Sequence, residues 1–233
     1  MPMRIANYQF SPTLVPSLLV ALLLPVLISL GIWQLNRAEE KREILQNQQD
    51  NLRKPAIIIG TDMPALAQLR NRRLEVKGTF EAQYQVLLDN KVRHGAAGYE
   101  VVTPLRIAGS QRYLLVNRGW IQAGKTRAEL PAIETPSGQV SLTGLARLET
   151  KDVMGSANRI DERWPAVVRW LDIGALTAET GLELMPFVLL LDESAEHGFA
   201  RDWKFVNAPP EKSTSYAVQW FTLALALLII YIV

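Results

Sequence analysis

The sequence contains no cysteine and only two histidines, His94 and His197, among its 233 residues. Without cysteine the chain forms no disulfide and has no thiolate nucleophile or Cys-ligated zinc or iron–sulfur centre. Both histidines lie in polar segments and the five methionines are scattered, so neither residue type predicts a metal site. The short motifs of nucleotide binding, serine hydrolases and zinc peptidases are also missing. The sequence therefore predicts no catalytic residues, no metal site and no conventional enzyme.

Charged residues are absent from long stretches at both ends of the chain. None occurs from Ile5 to Asn36 or from Ser213 to Val233. The segment between Arg37 and Lys212 holds all 23 acidic residues and every basic residue except one. Its charges nearly balance and its signs are interspersed, so it lacks the positive field that nucleic acid requires. We therefore expect no nucleic-acid partner.

The first uncharged stretch predicts a transmembrane helix at residues 13–35, after an N-terminal tail at 1–12. As a helix, residues 13–35 would reach roughly 35 Å, which spans the hydrocarbon core of a bilayer. The alternative is a cleaved signal peptide. It is disfavoured because the apolar run is long for a signal and no small-residue cleavage site precedes the charged residues.

The second uncharged stretch predicts a transmembrane helix at residues 213–233. Tyr216 and Trp220 mark one membrane interface and Tyr231 the other, as in an aromatic belt. The alternative is a buried C-terminal helix of a soluble domain. Two spans in contact with the lipid bilayer put both termini on one side. The flanking Lys and Arg would put the middle segment in the cytoplasm, but this rule is weak for long connections, so charge leaves the topology open.

The middle segment, residues 36–212, predicts a stalk followed by a β-rich domain. Residues 36–54 are polar with mixed charges, which is typical of a solvated helical stalk. Beyond them apolar and polar residues alternate, as in half-buried strands. We predict strands at residues 72–80, 83–88, 98–106, 111–121, 138–148 and 186–192.

Helices and connections are fewer in this segment. Residues 62–69 predict a short helix with Pro64 in its first turn, and Asp172 is expected to cap a helix over 173–180. The polar, glycine-containing stretch Asp89–Gly98 is predicted to connect two strands. The predicted fold class is an α+β membrane protein. Its N- and C-terminal transmembrane helices flank a mostly antiparallel β domain, either a sheet or a small barrel, with two or three helices.

Three segments are richer in aromatic, basic and amide side chains than a plain fold requires. WQLNR puts Trp33 and Arg37 one helical turn apart at a membrane exit. LLVNRGW ends a strand with Asn117, Arg118, Gly119 and Trp120 in a row, and the final apolar helix begins with Lys212, Tyr216 and Trp220. The alternatives are ordinary interfacial anchors at the helix ends, and a buried arginine and core tryptophan in the strand.

Five segments together resemble one known family. They are GxWQLxRxxxK (Gly31–Lys41), RRLEVKGTF, DNKVRHGAAGYEVVTPL (Asp89–Leu105), LLVNRGWI and NAPPEKSTSYAVQWF. In this order, over about 190 residues, they are similar to the surfeit-locus protein family (Surf/Shy-type) of cytochrome c oxidase assembly factors. Family members are two-span proteins of the bacterial or inner mitochondrial membrane. The resemblance implies a bacterial inner-membrane protein with cytoplasmic termini and a periplasmic central domain, since residues 1–12 leave no room for a transit peptide.

The resemblance also implies a function and partners. It implies a non-catalytic assembly factor for haem–copper cytochrome c oxidase that assists haem a insertion or stabilises the nascent catalytic subunit. The implied partners are that subunit and the haem a synthesis machinery. Two alternatives stay open: a carrier that binds and transfers haem a, and a membrane-anchored enzyme of the cell envelope. Arg118, Gly119 and Trp120 are the candidate partner contacts.

The resemblance further implies a transient haem a contact at the helix ends. The candidate haem-contact residues are Trp33, Arg37, Lys212, Tyr216 and Trp220. The aromatic rings would pack on the macrocycle, and the cations would pair with a propionate. Many family members have a histidine directly after the Pro-Pro-Glu-Lys segment, where this chain has Ser213. A hydroxyl is a poor axial ligand, so haem ligation by this chain is not carried over.

Overall fold

The computed structural model of the chain describes the backbone at residues 3–5 and 8–10, and residues 13–61, 64–124, 126, 129–148, 160, 163–203, 206 and 208–232. The chain divides into two compact units. The helical unit comprises Met1–Gln49 and Lys204–Val233, and the β unit comprises Asp50–Trp203.

Ten strands and four helices lie within the described residues. The strands are β1 (Met3–Ile5), β2 (Tyr8–Phe10), β3 (Ile57–Ile59), β4 (Arg73–Phe80), β5 (Val86–Arg93), β6 (Ala96–Ile107), β7 (Arg112–Gln122), β8 (Gln139–Arg147), β9 (Ala166–Val168) and β10 (Glu183–Leu191). The helices are α1 (Leu14–Arg53), α2 (Leu66–Leu69), α3 (Ile173–Thr180) and α4 (Pro210–Ile232), with one 3-10 turn at Ala82–Tyr84.

The two terminal helices, α1 and α4, are long and apolar enough to cross a membrane. Only 6% of the most apolar stretch of α1 and 11% of that of α4 is buried, so neither is a core helix of a soluble domain. α1 continues without a break past its apolar part to Arg53, over about 60 Å at 1.5 Å per residue. Pro25 lies inside it, as membrane helices tolerate.

The β unit contains a closed barrel of five strands. β4 pairs with β8 along most of its length, and its last residues pair with β6 on the other side. The circle continues from β6 to β7, from β7 to β10 and from β10 back to β8. β3, β5 and β9 extend the same sheet beyond the barrel. The predicted fold class is confirmed, because terminal apolar helices flank an antiparallel-rich β domain that forms a small barrel.

Alternating apolar residues of the barrel strands fill its interior. The buried set from these strands is Leu74, Val76, Phe80, Leu105, Ile107, Leu114, Val116, Leu142, Ala146, Met185, Phe187, Leu189 and Leu191. A second cluster, built on Leu87, Tyr99 and Val101, packs under residues 130 and 133 and Phe199. Because a narrow barrel leaves just enough room for side chains, its interior is a core and not a channel.

The short helices follow local sequence signals. The Asp172 side chain accepts from Ala175 N at 3.0 Å and caps α3, and Gly181 ends it in a left-handed conformation with φ 68°. The other predicted short helix is shorter than expected. It covers Leu66–Leu69, so Pro64 precedes it, and residues 62 and 63 lie outside the described part of the chain.

The prediction that Asp89–Gly98 is a connection was wrong. β5 runs through this stretch to Arg93, β6 begins at Ala96, and only His94 and Gly95 form the turn. Both turn residues have positive φ, 49° and 80°, which is the backbone of a two-residue hairpin turn. Polarity and glycine content suggested a loop, whereas the His-Gly pair was the signal for a tight turn.

Candidate functional site

Small residues line the contact between α1 and α4 in the helical unit. Gly31, Ala38 and Ala217 are buried. A Cβ atom on Gly31 would lie 2.6 Å from the Phe221 ring, closer than real Cβ contacts allow. Glycine therefore leaves room for the Phe221 ring between the two antiparallel helices.

Hydrogen bonds join α1 and α4 on either side of this contact. Lys41 Nζ donates to Ser213 Oγ at 2.9 Å, and Arg42 donates to Thr214 Oγ1 at 3.1 Å. Near the other ends of the helices the Ser17 and Tyr231 hydroxyls lie 2.7 Å apart. The side chain at position 213 thus faces α1, where it is 5% exposed.

Four of the five candidate haem-contact residues are exposed, whereas Trp220 lies on the same face of α4 as the buried Ser213 and Ala217. Trp33 is 56% exposed and Tyr216 is 44% exposed, while Arg37 and Lys212 are exposed and Trp220 is half-buried. Trp33 with Arg37 and Tyr216 with Trp220 each lie one turn apart on their own helix. Among the described residues no hydrogen bond or ring stacking joins the two pairs. The four exposed side chains can meet a ligand or partner outside the helix pair.

The helix pair does not offer the side chains that haem iron prefers. Residues 13–49 and 208–232 contain no histidine, methionine or cysteine. The Ser213 hydroxyl already accepts a hydrogen bond from Lys41 inside the seam. The described part of the helical unit therefore does not fit axial haem ligation through position 213.

In the β unit, the buried Arg118 side chain binds two connecting segments. Its side chain is 2% exposed, and its three nitrogens donate to His197 O at 2.9 Å, Thr135 Oγ1 at 3.0 Å and Glu134 O at 2.6 Å. The β6–β7 register shifts at this point, and Gly119 follows with φ 110°. This irregularity directs the guanidinium inward, where it binds two loop segments together.

The charge of Arg118 is surrounded by rings and neutral acceptors. Its Cζ lies 5.1 Å from the Phe80 ring centre and 4.9 Å from that of Phe199. Among the described residues it forms no ion pair. Burial lowers the pKa of Arg118 to about 10, so the group stays charged at neutral pH. Cation–π contacts and hydrogen bonds to charge compensate this burial.

Trp120 lies across the β5–β6 hairpin. Its Nε1 donates to Lys91 O at 2.9 Å, and a Cβ on Gly98 would lie 2.4 Å from its ring. Glu100 lies opposite Trp120 in the ladder and binds Lys91 Nζ at 3.3 Å. Two of the sequence segments singled out above therefore meet at one place.

The structure separates the three candidate partner contacts. Arg118 and Gly119 are buried, while Trp120 is half-buried. Sequence reasoning missed the residues beside Trp120, namely Lys91, Gly98 and Glu100. The signal that could have identified these neighbours is Gly98 in the segment Asp89–Leu105. A large aromatic ring can pack on a strand where a Cβ atom is missing, as the Trp120 ring does at Gly98. Within the described residues no cluster of three metal-binding side chains occurs.

Comparisons with known proteins agree with the resemblance noted in the sequence. The chain is 27% identical to a SURF1-like protein of Rickettsia felis over 93% of this chain and 95% of the relative. It is 26% identical to a SURF1-like protein of Monosiga brevicollis over 85% and 79% of the two chains. Surfeit locus protein 1 of Arabidopsis thaliana is 34% identical over 41% of this chain and 30% of its own length. The sequence model of the SURF1 family matches residues 21–225, and the chain therefore belongs to the SURF1 family.

Proposed function

We propose that this chain assists the assembly of haem–copper cytochrome c oxidase by binding an assembly intermediate, without catalysing a reaction. The observation that carries the proposal is the match to the SURF1 family over residues 21–225. The five motif segments support it, since they resemble a family of oxidase assembly factors. The client, in this proposal, is the nascent catalytic subunit at the stage of haem a insertion, together with the haem a synthesis machinery.

The proposal includes a place in the cell. Residues 13–35 and 213–233 cross the inner membrane of a bacterium, residues 1–12 form a cytoplasmic tail, and residues 36–212 are periplasmic. The two long apolar helices support membrane insertion. Their antiparallel contacts, such as Ser17 with Tyr231 and Lys41 with Ser213, support two spans that form a pair.

The exposed side chains of the helical unit are the proposed membrane-level contacts. Trp33, Tyr216 and Trp220 offer aromatic surface, and Arg37 and Lys212 offer cations. Because Ser213 is hydrogen-bonded to Lys41 and its hydroxyl is a poor iron ligand, the iron ligand in this proposal comes from the client. The membrane-level residues then make only a transient contact with haem a. A stable haem carrier would need a ligand of its own.

Gene deletion in the source bacterium tests the assembly role. We expect the assembled oxidase, measured by native gel and by the haem a band of membranes, to fall several-fold and to return with a plasmid copy. The oxidase transcripts should not change. If the oxidase assembles fully without this chain, the proposed function is wrong.

An absorption spectrum of the detergent-purified chain separates the assembly role from the carrier role. Cells that make haem a should yield the protein without a haem band, because the helix pair lacks a preferred axial ligand. A stoichiometric band that Lys212→Ala removes would instead favour a carrier, with a propionate at Lys212.

A further inference from the structure

The end of the β5–β6 hairpin projects beyond the neighbouring strands. β9 pairs with β5 only over Val86–Leu88, and β7 pairs with β6 only as far as Gly98. Ala123 N still donates to Ala97 O, but among the described residues no strand pairs with Val92–Ala96 except the two arms of the hairpin. We call Lys91–Gly98 the hairpin end.

The hairpin end is held firmly from its base. Trp120 Nε1 binds the Lys91 carbonyl, and the Trp120 ring packs against Gly98. Asn117 Nδ2 donates to Glu100 at 2.8 Å, and Glu100 in turn pairs with Lys91. His94 adopts a left-handed conformation that is uncommon for a non-glycine residue. A projecting hairpin fixed in this way loses little conformational freedom when it binds a partner.

One face of the hairpin end combines cations with an aromatic ring. Lys91 and Arg93 lie two residues apart on β5 and so share the face that carries Trp120. Glu100 neutralises Lys91, whereas Arg93 has no ion pair or hydrogen bond among the described residues. On the other face Val92 is 67% exposed, the most exposed large apolar side chain in the described β unit after Ile58.

We propose that the hairpin end is the surface through which the β unit docks on its client, and that it binds an acidic segment of the client flanked by apolar residues. This rests on the proposed function and adds the contact site. Arg93 supplies the unpaired positive charge and Trp120 supplies apolar area on one face of the hairpin end. Val92 supplies apolar area on the opposite face, so the client segment contacts both faces of the projecting end. Arginine and tryptophan are the residue types that contribute most to binding at interfaces.

Charge reversal at Arg93 tests the docking surface in the full-length, membrane-inserted chain. Arg93→Glu would place a carboxylate against the acidic segment, and like charges that face each other across an interface weaken binding. We expect the catalytic subunit that co-purifies with the tagged chain to fall about tenfold or more. The control is Arg106→Glu on the same hairpin, 13 positions away along the chain. Arg106 is exposed whereas Arg93 is half-buried, and Arg106→Glu should co-purify the subunit as the wild type does.

The outcomes separate this inference from the proposed function. Wild-type and Arg93→Glu chains of equal abundance that retain equal amounts of subunit would overturn the docking surface and leave the assembly role intact. A reduction of equal size in Arg93→Glu and Arg106→Glu would also overturn it. A wild-type chain that retains no subunit, in a bacterium whose oxidase assembles without the gene, would overturn both.

Discussion

At the scale of single residues, Arg118 shows that a residue singled out as a candidate partner contact can serve the fold. Its guanidinium reaches three acceptors on two loop segments and lies between two phenylalanine rings. The planar, five-donor geometry of arginine suits this position, and a lysine ammonium cannot span the same acceptors. Arg118 therefore stabilises the fold by joining residues 134 and 135 to His197, next to Trp120, which remains partly exposed.

Substituting Arg118 with lysine should destabilise the β unit. Arg118→Lys leaves buried acceptors without donors, and we expect the free energy of unfolding to fall by about 2–4 kcal/mol. Denaturant titration of the detergent-solubilised chain, followed by tryptophan fluorescence, measures this change. Arg112→Lys is the control, because its pair with Glu183 is largely exposed and contributes at most about 1 kcal/mol. Equal denaturant midpoints for Arg118→Lys and Arg112→Lys would show that the hydrogen bonds of Arg118 do not stabilise the β unit.

At the scale of elements, the helix pair depends on the absence of a side chain at Gly31. A leucine there would meet the Phe221 ring and force α1 and α4 apart, and overpacking of this kind costs about 1–3 kcal/mol. We expect Gly31→Leu to lower the temperature at which the purified chain loses its main peak in size-exclusion chromatography.

The control for the helix pair is a leucine of the same size on the same helix. Ala21 is exposed on α1, so Ala21→Leu adds the same apolar side chain away from α4. Its melting temperature should match that of the wild type. If Gly31→Leu melts at that temperature as well, the fit of the Phe221 ring against Gly31 is not important for stability.

The elements differ in how far the sequence predicted them. The absence of charge predicted α1 and α4, and period-two alternation predicted β4, β7 and β8 within a few residues. β3 and β9 have only three residues each, too few for a period to show. β10 was predicted as a strand, but its parallel pairing with β7 was not expected, because a strand's own pattern does not identify its partner. The register of this pair also shifts between Leu184 and Val188, around Pro186.

The candidate sites were predictable to a smaller degree. Residue types and their spacing singled out Trp120 and Arg118 but not their surroundings. Whether an arginine is buried depends on acceptors far along the chain, here Glu134, Thr135 and His197. The seam contact between Lys41 and Ser213 joins residues 172 positions apart, which no local pattern encodes.

At the scale of the whole molecule, the β unit has the parts of an independent domain. The barrel strands and their buried core all lie within Asp50–Trp203. We expect this segment, expressed without α4 and the apolar part of α1, to be soluble and to show dispersed amide signals by NMR and one cooperative thermal transition. The same segment ended at Thr180 lacks β10, which supplies Phe187, Leu189 and Leu191 to the core, and should not fold. A folded shorter segment would contradict the importance of the closed barrel.

The position of β10 between β7 and β8 also sets the order of folding during synthesis. β10 is the last barrel strand to be made, yet it lies between two strands made before it. Until it arrives, β7 and β8 keep unpaired edges, and such edges associate with other chains. Pairing across long sequence separations is slow because loop entropy is lost before contacts form. Closure of the barrel is therefore the late step of folding, and newly made chains are most vulnerable to aggregation just before it.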